Sequence, residues 1–334
     1  MQYKTLGKTE LHVSRIGLGG IPVQRIDAEK THKLLEYLCG QGVNFIDTAR
    51  GYTVSEEYLG EALVGMRDKF IIATKSMSRS YEDMARDIDI SLKNLQTDYI
   101  DIYQLHNIKT DADFELAFSD KGAVAAIKDA IADGKVGHLG ATAHGKDALE
   151  RLLSYDEIET VMFPYNIVES QGEELMARAA KQNVGFIAMK PLAGGNITSG
   201  SLALRYVLAN DNCTIAIPGM ADIKEAMDNI DGAKKTEFTE KDLADIAVIR
   251  EKLSGDFCRR CGYCAPCTVG IDIPGVFVLQ GYLENYDLEG WARTRYASQA
   301  AKASDCIGCG KCEERCPYDL PIRQKLSKIK ELFE

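Results

Sequence analysis

Several things are missing from this chain of 334 residues. No apolar stretch is long enough to span a bilayer, so a membrane protein is not expected. The net charge is −10, with no long basic run, which argues against nucleic acid as the main partner. The opening residues, MQYKTLGKTELHVSR, lack the apolar run of a secretory signal, and the expectation is a cytoplasmic protein. No low-complexity linker separates one part from another. There is no Gly-x-Gly-x-x-Gly fingerprint and no flavin motif. What remains is a composition that is 45% hydrophobic and 27% charged, enough to bury a sizeable core. The length suits about two domains, or one α/β barrel of ~250 residues with a small added module.

Residues 1–250 alternate regularly. Apolar, β-branched runs recur at RIGLG (15–19), VNFIDTA (43–49), KFIIATK (69–75), YIDIYQLH (99–106), KVGHLGAT (135–142), ETVMF (159–163), VGFIAMK (184–190) and CTIAIPG (213–219). Stretches with helical periodicity lie between them, among them AEKTHKLLEYLCG and YEDMARDIDISLKNL. Gly40, Gly134 and Asn183 mark helix exits. Eight strands, each followed by a helix, predict a (β/α)8 TIM barrel, with an open doubly wound sheet as the alternative. YKTL and LHVS, ahead of the first barrel strand, suit a small hairpin across the barrel floor. From 251 to 334 the pattern changes to short segments punctuated by cysteine, glycine and proline around a mostly helical middle. A second domain, packed on the first, is expected there.

Ten cysteines are the anomaly. Cys39 and Cys213 stand alone and read as small buried side chains. The other eight lie between 258 and 316. In a reducing compartment a thiol cluster reads as metal binding or catalysis rather than disulfides. Cys306, Cys309, Cys312 and Cys316, with Pro317 after the last, follow the bacterial ferredoxin spacing. Three cysteines at intervals of three wrap three corners of an iron–sulfur cube, and the fourth serves the other cluster. The second run is Cys258, Cys261, Cys264 and Cys267, whose last gap is one residue short and is followed by Thr268. Two 4Fe–4S clusters are therefore expected. Cys258, Cys261 and Cys264 pair with Cys316, and Cys306, Cys309 and Cys312 with Cys267, whose role the irregular gap leaves least defined. Structural zinc is the alternative, although zinc usually takes two well-separated pairs. Clusters that only staple the fold remain a further alternative.

Active sites of TIM barrels sit at the C-terminal ends of the strands. There the sequence places Asp47 after the second strand, Tyr52 in the following loop, Lys75 at the end of the third and His106 at the end of the fourth. In order and setting these residues resemble the aldo/keto reductase family, whose catalytic tetrad is Asp, Tyr, Lys and His. The likeness spans about residues 3–230, with RIGLGG, LHN, PYN, PLAGG and IPG. It implies carbonyl/alcohol chemistry on a small-molecule substrate. Tyr52 would be the proton donor, Lys75 would favour its phenolate, Asp47 would orient Lys75, and His106 would hydrogen-bond the substrate oxygen. His144, after the fifth strand, lies at the same rim, whereas His12, His32 and His138 read as solvated or capping residues.

The resemblance also implies a nicotinamide dinucleotide, NAD(H) or NADP(H), lined by Thr142, Asn166, Lys190, Leu192, Gly194, Gly219 and Asn229. Here the chain departs from the pattern. Thr142, Ala143 and Met162 stand where the family commonly has Ser-Asn and Gln for the carboxamide. Met189 stands where an aromatic ring stacks on the nicotinamide, and Lys190 replaces a small polar residue. Asp222 and Glu225 lie where a 2′-phosphate would be held, and carboxylates repel it. Clusters move one electron and a nicotinamide moves a hydride, so a flavin is left open as a converter. The sequence thus predicts an aldo/keto reductase-like oxidoreductase coupled to two 4Fe–4S clusters, with a redox carrier such as ferredoxin as possible partner. A nicotinamide-dependent reductase with structural clusters and an electron-transfer protein on a degenerate barrel are the alternatives.

Overall fold

A computed structural model describes residues 1–235 and 237–334. The chain divides into two units, residues 1–192 with 198–237, and residues 193–197 with 238–334. The first contains ten strands. A hairpin pairs β1 (Tyr3–Thr5) with β2 (His12–Ser14), and eight parallel strands follow: β3 (Leu18–Gly19), β4 (Phe45–Asp47), β5 (Ile71–Ser76), β6 (Ile100–Leu105), β7 (Val136–Thr142), β8 (Thr160–Pro164), β9 (Gly185–Met189) and β10 (Ile215–Ile217). Each strand of this sheet neighbours the next in the chain. The first and last are joined by Gly17 N–H to Ala216 O at 2.9 Å and Gly19 N–H to Pro218 O at 2.8 Å, which closes the ring as a TIM barrel.

Five of the described helices between the strands begin where a side chain can take an orphan backbone N–H. Asp27, Ser80, Thr110, Ser199 and Asp222 each accept from the residue three positions on. Gly134 and Asn183 end their helices in the left-handed conformation, at φ 73° and 53°. The next N–H groups, of Lys135 and Val184, reach back to Ala130 O and Ala179 O at 2.9 Å. Gly40 differs from expectation. It stays inside the helix Ala28–Gly40, and the left-handed residue is Gly42, at φ 80°.

Alternation along the strands sorts the side chains. Phe45, Ala73, Ile102, Met162, Ile187 and Ile215 pack together inside the barrel. The expected hairpin forms, and its Leu6 and Val13 are fully buried in the same cluster. Leu6 meets Gly185 at the start of β9, where a Cβ would stand 2.7 Å from Leu6 Cδ1. The hairpin therefore plugs the end of the barrel opposite the strand C-termini. Cys213 is fully buried, as expected, and burial pushes its thiol up to about 12. Cys39 is only half-buried.

The second unit is mostly helical: Glu240–Ser254, Ile273–Asn285, Glu289–Ala297, Lys311–Glu314 and Ile322–Phe333. The first of these runs straight through position 250 and starts with a reciprocal cap between Thr239 and Asp242. Ile273, Val276, Phe277, Leu279, Tyr296, Leu326 and Ile329 form the core, and Cys264 and Cys312 are buried in it. Among the described residues no helix is long and apolar enough to cross a membrane.

Replacing Leu6 with Ala is expected to destabilise the barrel by about 2–5 kcal/mol. Urea unfolding should show a lower midpoint with an unchanged slope. A midpoint equal to that of the parent would mean that the hairpin is not part of the barrel core.

Candidate active site

Asp47 ends β4 and Lys75 lies near the end of β5, both facing the barrel interior and 3% and 2% exposed. Lys75 Nζ donates to Asp47 Oδ2 at 2.6 Å and to Thr48 O at 2.8 Å. The other carboxylate oxygen accepts from Gln104 Nε2 at 3.2 Å. Gln104 is fully buried on β6, directly beside Lys75 in the ladder. It lies along Gly140 of β7, where a Cβ would stand 2.9 Å from Gln104 Cγ. Desolvation pulls the Lys75 ammonium below its ordinary value of 10.5, against the raising effects of Asp47 and Glu56. Desolvation likewise pushes the Asp47 carboxyl up, against Lys75 and Gln104.

Tyr52 and His106 stand over this pair. Lys75 Nζ lies 5.0 Å from the centre of the Tyr52 ring. The Tyr52 and His106 rings meet edge to face at 6.0 Å. The loop carrying Tyr52 is tied down on both sides. Ser55 Oγ donates to Gly20 O at 2.9 Å and lies 2.9 Å from Thr48 Oγ1. Arg50 N–H donates to Lys75 O at 3.0 Å, and its guanidinium pairs with Glu56 at 2.8 Å. Glu56 is 1% exposed and also accepts from Thr74 Oγ1 and Ser91 Oγ at 2.8 Å each. Tyr103 OH lies 3.2 Å from the same Ser91 hydroxyl. Thr74 and Tyr103 point outward from β5 and β6, so this network lies between the strands and the helix layer. Sequence reasoning missed Gln104 and Glu56. The signal for Gln104 was its spacing of two from His106, which puts both on one face.

The residues assigned to a nicotinamide are more scattered in role. Thr142 is buried, and its hydroxyl oxygen accepts Asn107 N–H at 2.7 Å. His144 Nδ1 lies 3.0 Å from Asn107 Oδ1. Asn166 is fully buried, and its amide is committed to the protein. It donates to Glu169 Oε2 at 2.8 Å and Lys190 O at 3.0 Å, and it accepts from Val168 and Glu169 N–H at 3.0 Å. It thereby holds Lys190 in the left-handed conformation, at φ 56°. Leu192 is half-buried, and Gly194 belongs to the second unit, where its carbonyl accepts from Asn285 Nδ2 at 3.1 Å. Gly219 is exposed and bridges Gly19, and Asn229 is buried against Gly200. Met162 and Met189 pack into the barrel core. Asp222 and Glu225 serve the helix Ile223–Lys234: Asp222 caps it, and Glu225 holds Ala221 N–H at 2.7 Å. His32 and His138 are engaged elsewhere, at Ala62 O and Glu159, and His12 stacks on Tyr3.

In the second unit the eight cysteines line two hollows. One has Cys267, Cys306, Cys309 and Cys312 in its wall. The other has Cys258, Cys261, Cys264 and Cys316. Ile273 lines both. Burial pushes the Cys264 thiol up to about 12, so a thiolate there calls for a cationic centre beside it. Four thiols around each of two hollows are a donor set that suits iron–sulfur clusters.

Replacing Asp47 with Asn would leave the Lys75 charge buried without a counter-ion. The expected loss is about 3–5 kcal/mol at neutral pH. An unfolded lysine titrates near 10.5 and the buried one lower. The loss is therefore full between the titration of Asp47 and that of the buried Lys75, shrinks in acid as Asp47 is protonated, shrinks also as pH rises through the folded lysine value, and vanishes above 10.5. Urea unfolding at a series of pH values reads this directly, and a loss that does not depend on pH would separate it from the charge on Lys75.

Comparison with known proteins places these features. Residues 15–202 match the profile of the aldo/keto reductase family, and residues 257–321 that of the 4Fe-4S dicluster domain. The aldo-keto reductase YhdN of Bacillus subtilis is 27% identical over 263 residues, covering 71% of this chain and 77% of that protein. L-galactose dehydrogenase of Arabidopsis thaliana is 26% identical over 308 residues, covering 75% of this chain and 95% of that one. The fold matches that of an aldo-keto reductase from Bacillus halodurans at a TM-score of 0.64 and 24% identity, over 75% of this chain and 96% of that one. The chain is an oxidoreductase that belongs to the aldo/keto reductase family and carries a C-terminal 4Fe-4S dicluster domain.

Proposed function

We propose that the protein interconverts a carbonyl and an alcohol, with Tyr52 as proton donor and with electrons exchanged through two 4Fe–4S clusters. The observation that carries the reading is the Lys75 ammonium, 2.6 Å from Asp47 and 5.0 Å from the Tyr52 ring centre. A cation there favours the phenolate electrostatically, so the hydroxyl gives up its proton more readily than in water. Reduction of C=O to CH–OH takes two electrons and two protons. Tyr52 supplies the proton that ends on oxygen, and water supplies the one that ends on carbon. His106, edge-on to Tyr52, orients the substrate oxygen toward the hydroxyl. Asp47 fixes the position of Lys75, and Gln104 fixes Asp47.

Cys258, Cys261, Cys264 and Cys316 would hold one cluster, and Cys267, Cys306, Cys309 and Cys312 the other. Such a cluster exchanges electrons one at a time. A redox carrier such as ferredoxin is the proposed partner. A reducing, cytoplasmic setting is proposed because disulfide formation would take the thiols out of use. A nicotinamide is the second source of electrons to consider. Against it, Ala143, Met162 and Met189 are buried and apolar where the family resemblance calls for groups that bind and stack on the ring. A carboxamide placed there would be desolvated without partners.

The test begins with anaerobic reconstitution, which should load ~8 iron per chain. Reduced protein is then mixed with a panel of aldehydes, ketones and 2-oxo acids, and reoxidation is followed by absorbance. Tyr52→Phe should slow reoxidation by about 10²–10⁴-fold at unchanged iron content. Reoxidation at the parental rate would overturn the role of Tyr52. Bleaching of oxidised clusters by NADH or NADPH would establish the nicotinamide route instead.

The crossed assignment of Cys316 is testable by iron content alone. Replacing both Cys306 and Cys309 with Ala should leave about four iron. Adding Cys316→Ala should then remove most of these. Retention of all four would place Cys316 with the cysteines nearest to it in sequence.

A further inference from the structure

We propose that the surface formed by Ile307, Cys309 and Lys311 is the docking face for a small acidic one-electron carrier protein. The proposal rests on the reading that the clusters exchange electrons with a redox partner, and it names where and with what kind of surface. Among the eight clustered cysteines, Cys309 is the exposed one; Cys264 and Cys312 are buried and the rest half-buried. The loop around it is thinly covered, with Thr268 Oγ1 3.4 Å from Cys309 Sγ and Arg323 donating to Gly308 O at 3.4 Å. Gly308 and Gly310 are left-handed, at φ 69° and 77°. Nothing lies within 4 Å of where a Cβ of Gly308 would be, and only Arg323 Cζ comes to 4.0 Å at Gly310. Electron tunnelling weakens steeply with distance, so the uncovered edge of this hollow is where a partner approaches most closely.

The chemistry of the rim says what that partner is. Ile307, between Cys306 and Cys309, is 64% exposed. Lys311, Arg315 and Arg323 line the same hollow. Arg323 is compensated by Glu313 at 2.7 Å. Arg315 donates to the carbonyls of Lys311 and Pro266, at 3.0 and 3.2 Å, and has no carboxylate partner among the described residues. Lys311 is exposed, and its ammonium has no hydrogen bond or ion pair among the described residues. Lys311 and Arg315 thus lack an ion-pair partner among the described residues, beside an exposed apolar residue. Exposed carboxylates nearby in the chain are Asp305, which caps Lys302 N–H, and Glu314.

The setting within the chain sharpens the contrast. Residues 258–334 hold eleven Lys and Arg against ten Asp and Glu, whereas the whole chain holds 40 against 50. The acidic excess therefore lies in residues 1–257. An acidic protein is repelled from that excess and steered to the rim of Cys309. A small-molecule reductant has no use for Ile307. At each encounter one electron leaves the reduced iron–sulfur centre of the carrier, which is oxidised by one. The same electron would reduce by one a cluster held by Cys267, Cys306, Cys309 and Cys312. No covalent bond forms or breaks and no proton moves. Two encounters supply the two electrons of one carbonyl reduction.

The experiment uses the full chain with both clusters loaded. The probe is a purified acidic [2Fe–2S] ferredoxin, chemically reduced and desalted, mixed with the protein in an anaerobic stopped-flow instrument. The rate of cluster reduction should fall steadily as KCl is raised. Lys311→Glu should lower it about tenfold at low salt. Ile307→Ser should lower it a few-fold at any salt concentration. The dithionite endpoint should be unchanged in all three proteins. A Lys311→Glu rate that falls while the cluster midpoint potential stays constant supports docking. A fall fully accounted for by a lower potential overturns the proposal, since the cations would then tune the cluster instead. Salt-insensitive reduction, variants as fast as the parent, or failure of ferredoxin to reduce what dithionite reduces each overturn it too. If Lys311→Glu loads iron poorly, the salt series and Ile307→Ser decide. Reoxidation of dithionite-reduced protein by the carbonyl panel needs no ferredoxin, so it reports separately whether the underlying reading fails.

Discussion

A cation sealed inside an apolar barrel sets the conditions for everything around it. Removing an ammonium from water costs several kcal/mol, and Lys75 is 2% exposed. The fold tolerates it only because Asp47 and the Thr48 carbonyl take two of its three hydrogens. That need propagates. Asp47 is itself desolvated and requires a second donor, which Gln104 provides. Gln104 requires room against β7, which Gly140 leaves. One buried charge therefore fixes residue types on four adjacent strands or strand ends. The same logic operates one layer outward, where the buried Glu56 carboxylate gathers Arg50, Thr74 and Ser91. Because Arg50 also bonds to the Lys75 carbonyl, the loop that carries Tyr52 is positioned by the same strand that carries Lys75.

The second unit faces the opposite shortage. Its core is built from a few residues of short helices, and two of its buried positions are cysteines. Cys258, Cys267, Cys306 and Cys316 pack against that core from its edge. A small domain with so many thiols facing hollows gains much of its order from whatever the thiols bind. The two hollows are not equivalent, however. Both have basic side chains in their walls, Arg259 in one and Lys311, Arg315 and Arg323 in the other, and the second also has the exposed Cys309 and Ile307. Exposure and nearby cations both act on the potential of an iron–sulfur centre, so the two sites are set apart before any partner binds.

Much of the barrel was legible because its signals are local. Most strands are short runs rich in β-branched residues, and five of the helices between them start at a polar cap that a sequence displays. The placement of Asp47, Lys75 and His106 at strand ends was legible because strand ends are predictable once eight strands are in register. The residues that escaped act through three-dimensional neighbours. Glu56 reads as one acid in an exposed-looking SEEY, and only its neighbours on β5 and the helix Tyr81–Asn94 show that it is buried. Asn166 sits in PYN as a cofactor contact would, yet its four hydrogen bonds are all internal, three to Val168 and Glu169 and one to the Lys190 carbonyl. Gly194 follows β9 in the chain but is held by Asn285 of the second unit, a partner 91 residues away. A one-dimensional change of composition near 250 likewise gave no sign that the helix Glu240–Ser254 runs through it.

The altered positions and the added domain form one argument. Met162 and Met189 sit with Leu6, Phe45 and Ile187 in the barrel core, so their apolar character is a packing requirement of this chain as well as a loss of ring contacts. Restoring polar groups at both would bury them without partners, at about 1–3 kcal/mol each. On the proposed reading, a chain that commits those positions to its core would hold a hydride donor less well. It would keep a group able to handle the proton, since Asp47 and Lys75 are paired at the strand ends with the Tyr52 and His106 rings beside them. Proton handling of that kind would then draw its electrons from elsewhere. Eight thiols in two sets of four are the one other redox-competent assembly among the described residues. On that reading, the grouping of Asp47, Tyr52, Lys75 and His106 and the apolar positions 162 and 189 belong to one proposal rather than two.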